Sequence, residues 1–154
     1  MLIFLDIDGV MVPAKGWKSP ELLDDGFPAF SSKASHALQR LIANDTTVIL
    51  TTSHKSNYTA EEWRNIFGKR GINVREIRSL DNNVENLSRK DEILNWFSAH
   101  HTNEAFIIID DDKSLNALPP LLKKNLILTS PLVGLTDSHL EDAEDMLHNG
   151  LLFA

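Results

Sequence analysis

Short apolar runs alternate with stretches of helical periodicity along the chain, a pattern that predicts βαβ units built around a parallel sheet. The runs fall at 2–6, 46–51, 72–78, 105–109 and 125–129, and each is read as a strand. Between them Ala34, Leu38, Leu41 and Ile42 share one helical face, as do Trp63, Ile66 and Phe67. Ile93, Leu94, Trp96 and Phe97 mark a third helix, and Leu140, Ala143 and Leu147 a last one. Thr59 with Glu62, Ser88 with Asp91 and Ser138 with Glu141 have the spacing of capping boxes, in which side chains satisfy the orphan amides of a first turn. Each helical stripe is expected to pack on the sheet.

At 154 residues, 42% apolar, the chain has length for one sizeable core and not for two, so residues 1–154 are read as a single globular α/β domain. Residues 12–32 break the alternation: Pro13, Gly16, Pro20, Gly26 and Pro28 interrupt any regular element, while Trp17, Leu22, Leu23, Phe27 and Phe30 give the segment something to pack. It reads as a long ordered loop forming one wall of a pocket. The formal charge of −7 argues against non-specific binding to nucleic acid or anionic membranes, though a local basic mouth remains compatible with it. With no cysteine, thiolate catalysis, disulfides and cysteine-based zinc sites are excluded. The first apolar run is too short for a leader or a membrane span and is broken by Asp6, so a cytoplasmic protein without membrane attachment is expected.

The chemistry concentrates at the ends of the predicted strands, where open α/β sheets gather ligands. Phe4-Leu5-Asp6-Ile7-Asp8-Gly9-Val10 ends an apolar strand in two carboxylates one residue apart. The period of two turns Asp6 and Asp8 the same way, close enough to share a cation or a phosphoryl group, and Gly9 allows close backbone approach. The second strand runs into Thr51-Thr52-Ser53-His54-Lys55, hydroxyls and a cation suited to phosphate oxygens and equally suited to capping the next helix. The fourth runs into Asp110-Asp111-Asp112, and a hard cation is the simplest partner for three successive carboxylates. Magnesium, which takes octahedral oxygen ligands, suits Asp6, the Asp8 carbonyl and one member of that trio. Arg89-Lys90 supplies a cation at the start of the third helix, able to absorb charge as a phosphoryl group moves.

The order Asp-x-Asp-Gly-Val, strand-end Thr/Ser, basic residue, strand-end Asp-Asp resembles the haloacid dehalogenase (HAD) superfamily of phosphotransferases. The segments Val48-Ile49-Leu50-Thr51-Thr52-Ser53, Arg89 ahead of Glu92-Ile93 and Trp96, Ile108-Ile109-Asp110-Asp111-Asp112 and Val133-Gly134-Leu135-Thr136 resemble the branch found in Swiss Army Knife RNA repair proteins. Where that branch often carries a tryptophan–arginine pair, His54-Lys55 stands.

The resemblance implies a Rossmann-like three-layer sandwich with a central five-stranded parallel sheet and no large cap domain. It further implies a Mg²⁺-dependent phosphatase in which Asp6 is the nucleophile, forming an aspartyl-phosphate, and Asp8 the general acid and base. Thr52 binds the phosphoryl group, with Thr51 and Ser53 as alternates and Gly9, Lys55 and Lys90 as further substrate contacts. Arg89 is preferred over Lys90 as the site cation. Asp6, Asp8 and Asp111 hold the metal, with Asp111 preferred to Asp110 and Asp112 left without a role. An uncapped site suits a bulky phosphorylated substrate such as a nucleic-acid 3′-phosphate end, with Lys15, Lys18, Lys55 and Lys113 at its mouth and Trp17 stacking on a base. Two rival readings are a receiver-like signalling module, whose phospho-accepting aspartate ends the third strand, and a non-catalytic domain that binds phosphate and metal.

Overall fold

The computed structural model describes residues 1–14 and 20–153, the last six of these by their backbone course alone. Five strands, β1 (Leu2–Leu5), β2 (Thr47–Leu50), β3 (Glu76–Ser79), β4 (Phe106–Asp110) and β5 (Leu126–Leu128), form one sheet in the order β3-β2-β1-β4-β5. Every pairing is parallel. The helices are α1 (Ser32–Leu41), α2 (Ala60–Lys69), α3 (Arg89–His100), α4 (Pro120–Lys123) and α5 (Leu140–Phe153). Ile3, Leu5, Val48, Leu50, Ile107 and Ile109 pack with the buried stripes of α1, α2 and α5, and Leu2, Phe4, Ile49 and Ile108 pack with α3. The result is the expected three-layer α/β sandwich, and among the described residues no cap domain interrupts it.

The strand order matches that of dinucleotide-binding folds and differs from receiver domains, which place the second strand at the sheet edge beside the first and the third on its other side. Topology thus removes the receiver-like reading. β1 is central, the chain winds outward from it first through β2 and β3 and then through β4 and β5, and the crevice between the ends of β1 and β4 is the switch point where such sheets bind ligands.

Local signals account for most helix starts. Thr59 Oγ1 accepts from the Glu62 amide at 3.1 Å while the Glu62 carboxylate accepts from the Thr59 amide at 3.0 Å, the reciprocal box read from sequence. Ser88 Oγ accepts from the Asp91 amide at 3.2 Å, and Ser31 does the same for Ala34 at 3.0 Å. The box expected at Ser138 and Glu141 does not form. A 3-10 turn over Asp137–His139 precedes α5, so Ser138 lies inside that turn and the Thr136 amide bonds His139 Nδ1 instead.

Two strand and helix bounds also move. Ile42, placed on α1 by periodicity, is the extended residue that ends it. Ile72, expected to open β3, closes α2: its amide bonds the Phe67 carbonyl at 3.0 Å after Gly71, whose φ of 77° gives the left-handed helix stop that glycine favours. The apolar pattern carried no trace of this because Ile72 is buried in either arrangement.

The described part of the 12–32 loop is held by a residue that sequence reading did not single out. Residues 21–29 fold back on themselves, with Leu22 and Pro28 bridged and the Asp25 carboxylate accepting from the Phe27 amide. Arg70, at the end of α2, donates to both Asp25 oxygens and to the carbonyls of Ile66, Phe27 and Pro28, and its guanidinium lies 5.0 Å from the Phe30 ring centroid. The guanidinium holds the Asp25 carboxyl down at about 2. Arg70→Ala should therefore destabilise the protein by about 3 kcal/mol, because three carbonyls and a carboxylate lose their donor at once, and denaturant unfolding would show it. The Asp25 share is present above its unfolded value of 3.8 and is lost as pH falls toward 2, so the penalty of the substitution should shrink in acid.

Candidate active site

Strand register builds the site. Leu5 pairs with Leu50 on one side and Ile109 on the other, so Asp6, Thr51 and Asp110 form the next row. The ladder continues through it: the Thr51 amide bonds the Leu5 carbonyl at 3.0 Å and the Asp6 amide bonds the Ile109 carbonyl at 3.1 Å. All three residues share the parity of Phe4, Ile49 and Ile108, which face α3. Arg89, the first residue of α3, reaches into this row. Its Nη1 donates to Asp110 Oδ2 and, at 3.1 Å, to Thr51 Oγ1, and lies 3.6 Å from Asp6 Oδ1; the Thr51 hydroxyl in turn donates to Asp110 at 3.1 Å. Of the two candidate cations, Arg89 meets the carboxylates. Lys90 offers its backbone amide to Ser114.

Asp6, Asp110 and Asp111 bring carboxylate oxygens within 4.8 Å of one another. Asp110 thus lies in the same cluster as Asp111, the member of the trio preferred from the sequence. Its other oxygen accepts from the amides of Asp111 and Asp112, at 2.8 and 3.1 Å, and so shapes the turn that swings Asp111 inward. Asp112 caps the 3-10 turn over Lys113–Ala117 by accepting from the Ser114 amide. Gly9, with φ +80°, matters for this packing: a Cβ there would collide with the Asp111 carboxylate. Its amide donates to the Val12 carbonyl at 2.9 Å, so Gly9 serves the approach of Asp111 and its own N–H is already engaged. Thr129, at the end of β5, ties the Gly9 carbonyl at 2.7 Å.

Burial and the neighbouring Asp110 carboxylate push Asp6 up to about 9, against the pull of Arg89, and burial likewise raises Asp110. With all three ionised, the carboxylates exceed the one guanidinium by two negative charges in a largely buried space, an excess that a divalent cation offsets and that a proton on Asp6 lessens in its absence. The donor set, all oxygen, suits a hard cation.

Asp8 stands apart. Its side chain is exposed and accepts from, or pairs with, His54 Nε2 at 2.9 Å, and the His54 ring meets Phe27 edge-on at 5.8 Å. The 21–29 segment therefore props the histidine that holds Asp8. Thr52 is buried, its Oγ1 accepting the His54 amide at 3.2 Å, and Ser53 is exposed. Lys55 is buried and lies 3.2 Å from Glu92, whose other oxygen is 3.6 Å from Arg89 Nε. Glu92, unassigned from sequence, is the bridge between the two cations; its spacing of three from Arg89 on a helix was the available clue. Lys15, Trp17 and Lys18 fall outside the described residues, and Lys113 is exposed at the start of its turn. A cleft of about 550 Å³ opens beside the row, lined by Thr51, Ser53, Lys55, Arg89 and the 82–88 segment.

The model for the HAD domain in Swiss Army Knife RNA repair proteins matches residues 2–140. The chain belongs to that family. No curated protein matches it. As a HAD domain it carries a phosphohydrolase-type scaffold whose acidic cluster can hold a metal. Among the described residues no helix is long and apolar enough to cross a membrane.

The charge balance gives this HAD domain a pH-dependent response to metal. With Asp6 at about 9 folded and 3.8 unfolded, the unfolded chain sheds that proton first, so metal-free stability falls as pH rises between those values. A divalent cation needs the ionised form. The gain in melting temperature on adding Mg²⁺ should therefore be larger at the alkaline end of that range than at the acid end, and a thermal-shift series over pH would check it.

Proposed function

We propose that the domain is a Mg²⁺-dependent phosphomonoesterase working through an aspartyl-phosphate. The observation that carries this reading is the row itself: a buried carboxylate at Asp6, a guanidinium and a hydroxyl aimed at the same point, and a second, exposed carboxylate two residues on. Asp6, Asp111 and the Asp8 carbonyl hold the ion, with Asp110 beside them. Bound there, Mg²⁺ neutralises charge on the carboxylates and on the phosphoryl oxygens.

An oxygen of Asp6 attacks phosphorus, the ester P–O bond breaks, and Asp8 gives a proton to the departing alkoxide. Asp8, now a carboxylate, takes a proton from water as that water attacks the phosphorus, and the bond to Asp6 breaks to release inorganic phosphate. Arg89 and the Thr51 and Thr52 side of the site absorb charge on the phosphoryl oxygens. Of these hydroxyls Thr52 keeps its proton to give, because Thr51 already donates to Asp110 whereas Thr52 Oγ1 only accepts, from the His54 amide. His54 keeps Asp8 facing the open side, where a leaving group enters.

A site without a cap admits a bulky ester, and membership of a family of RNA repair proteins favours a nucleic-acid end, of which a 3′-phosphate is the form taken here. The test is a panel of 3′- and 5′-phosphorylated oligonucleotides, nucleotides, sugar phosphates and phosphopeptides, each with and without chelator. Chelator-sensitive release of phosphate, strongest on 3′-phosphorylated ends, is expected. A flat panel would favour the non-catalytic phosphate- and metal-binding reading.

A further inference from the structure

Beside the cleft lies a second hollow of about 350 Å³, walled by Leu80, Leu87, Asn82, Asn95 and Trp96. The two adjoin, and Asn82, Asn83, Val84, Leu87 and Glu92 line both. Their common floor is a stripe of α3: Arg89, Glu92, then Asn95 and Trp96, then Ala99 and His100, spaced to share one helix face. Its character changes along the way, from cationic at the phosphate end to amide and aromatic at the far end.

Three features define what the hollow accepts. It has no Lys or Arg in its lining, and Asp81, Glu85 and Glu92 line it, so a second phosphate is excluded. Its far wall is aromatic: the His100 imidazole lies parallel to the Trp96 indole, centroids 4.1 Å apart and planes 10° apart. Its amides divide their work. Asn83 closes the segment on itself, donating to the Leu87 carbonyl at 2.8 Å and accepting the Leu87 amide at 2.7 Å, while Asn82 and Asn95 make no side-chain hydrogen bond among the described residues. The wall is thus built in advance, with two neutral donor–acceptor groups left at its surface.

We propose that this hollow is a nucleobase subsite, taking the base of the nucleotide whose phosphate lies at Arg89. This deepens the phosphomonoesterase reading and rests on it for the position of the phosphate. A flat, uncharged heterocycle with donor and acceptor edges matches an aromatic wall flanked by side-chain amides and shielded from anions. The distance agrees: seven residues of helix carry the trough about 10 Å from Arg89 to Trp96, the reach from a terminal phosphate to the far edge of its own base. A peptide backbone, by contrast, has no flat, uncharged heterocycle to set against the aromatic wall.

The test uses two readouts. In the first, cytidine and adenosine, which carry no phosphate, are titrated to millimolar concentration while the Trp96 indole N–H and the Asn82 and Asn95 side-chain amides are followed by NMR. Shifts at these groups are expected, and they should vanish in Ala99→Phe, which fills the hollow from an exposed position of α3. In the second, kcat/KM is compared for a nucleoside 3′-monophosphate and for β-glycerophosphate. Ala99→Phe should lower the first by roughly tenfold or more, the scale of a lost base stack, and leave the second unchanged; Asn95→Ala should lower the first by less. No shift with either nucleoside, or an Ala99→Phe effect equal on both esters, would overturn the proposal. Nucleoside shifts at Trp96 in a protein that hydrolyses neither ester would leave the base subsite standing and remove the phosphatase.

Discussion

Asp6→Asn should abolish phosphate-ester hydrolysis, by at least about a thousandfold, and at the same time stabilise the metal-free protein by about 1–2 kcal/mol at neutral pH. The loss follows from chemistry: an amide oxygen does not form the acyl-phosphate that the proposed mechanism requires. The gain follows from electrostatics. Asp6 sits in a row with Asp110 and beside Asp111, and burial plus the Asp110 carboxylate push it up to about 9, so at neutral pH the folded metal-free protein must keep a proton that the unfolded chain releases. Asparagine occupies the same volume without that penalty. Adding Mg²⁺ should reverse the order of melting temperatures, since the variant lacks one of the ligands. Activity of the variant at the wild-type level would refute the covalent mechanism, and a lower metal-free melting temperature would refute the charge balance drawn for the site.

Arg89→Met should have the opposite sign in stability. It removes the donor to Asp110 and Thr51 and the nearest positive charge to Asp6 from a site where its own side chain is only 13% exposed. The cost of leaving buried carboxylates without their partner is about 3 kcal/mol or more when they are ionised. The carboxylates can instead hold protons, which raises their folded values further above 3.8, so the destabilisation should grow as pH rises and be smallest in acid. Chemical denaturation at a few pH values would show the slope. Lys90→Met, whose neighbour relation to Arg89 made it a candidate, should cost much less, because its ammonium makes no ion pair among the described residues. Equal costs for the two variants would mean that the cation of the site had been misassigned.

How far these features were legible beforehand differs from residue to residue. Asp6 was visible because a carboxylate at the end of an apolar strand is expensive unless something positive meets it. The Asp110–Asp112 trio was visible for the same reason, but its division of labour was not. Asp110 belongs to the row because β4 runs one residue further than the apolar run, so strand parity turns its side chain toward Arg89; Asp111 enters only through the turn that Asp110 itself shapes. Thr51 and Thr52 were likewise inseparable in a string of hydroxyls, and the register of β2 against β1 separates them: Thr51 faces α3 and Arg89, whereas Thr52 accepts the His54 amide. Ile72 went to the wrong element since burial looks alike in a strand and in a helix stop. Arg70 gave no local signal, as it acts on partners distant in the chain, and Glu92 offered only its spacing of three from Arg89.

By itself the sequence determined the layering, the five strands and the polar clusters at their carboxyl ends, because periodicity and burial are properties of neighbouring residues along the chain. Only the tertiary structure decided which carboxylates meet, that Arg89 rather than Lys90 meets them, that His54 holds Asp8, and that a trough runs along α3 to Trp96. Those outcomes depend on strand register and on turns that close over long separations, and a one-residue change in either redirects a side chain to the opposite face.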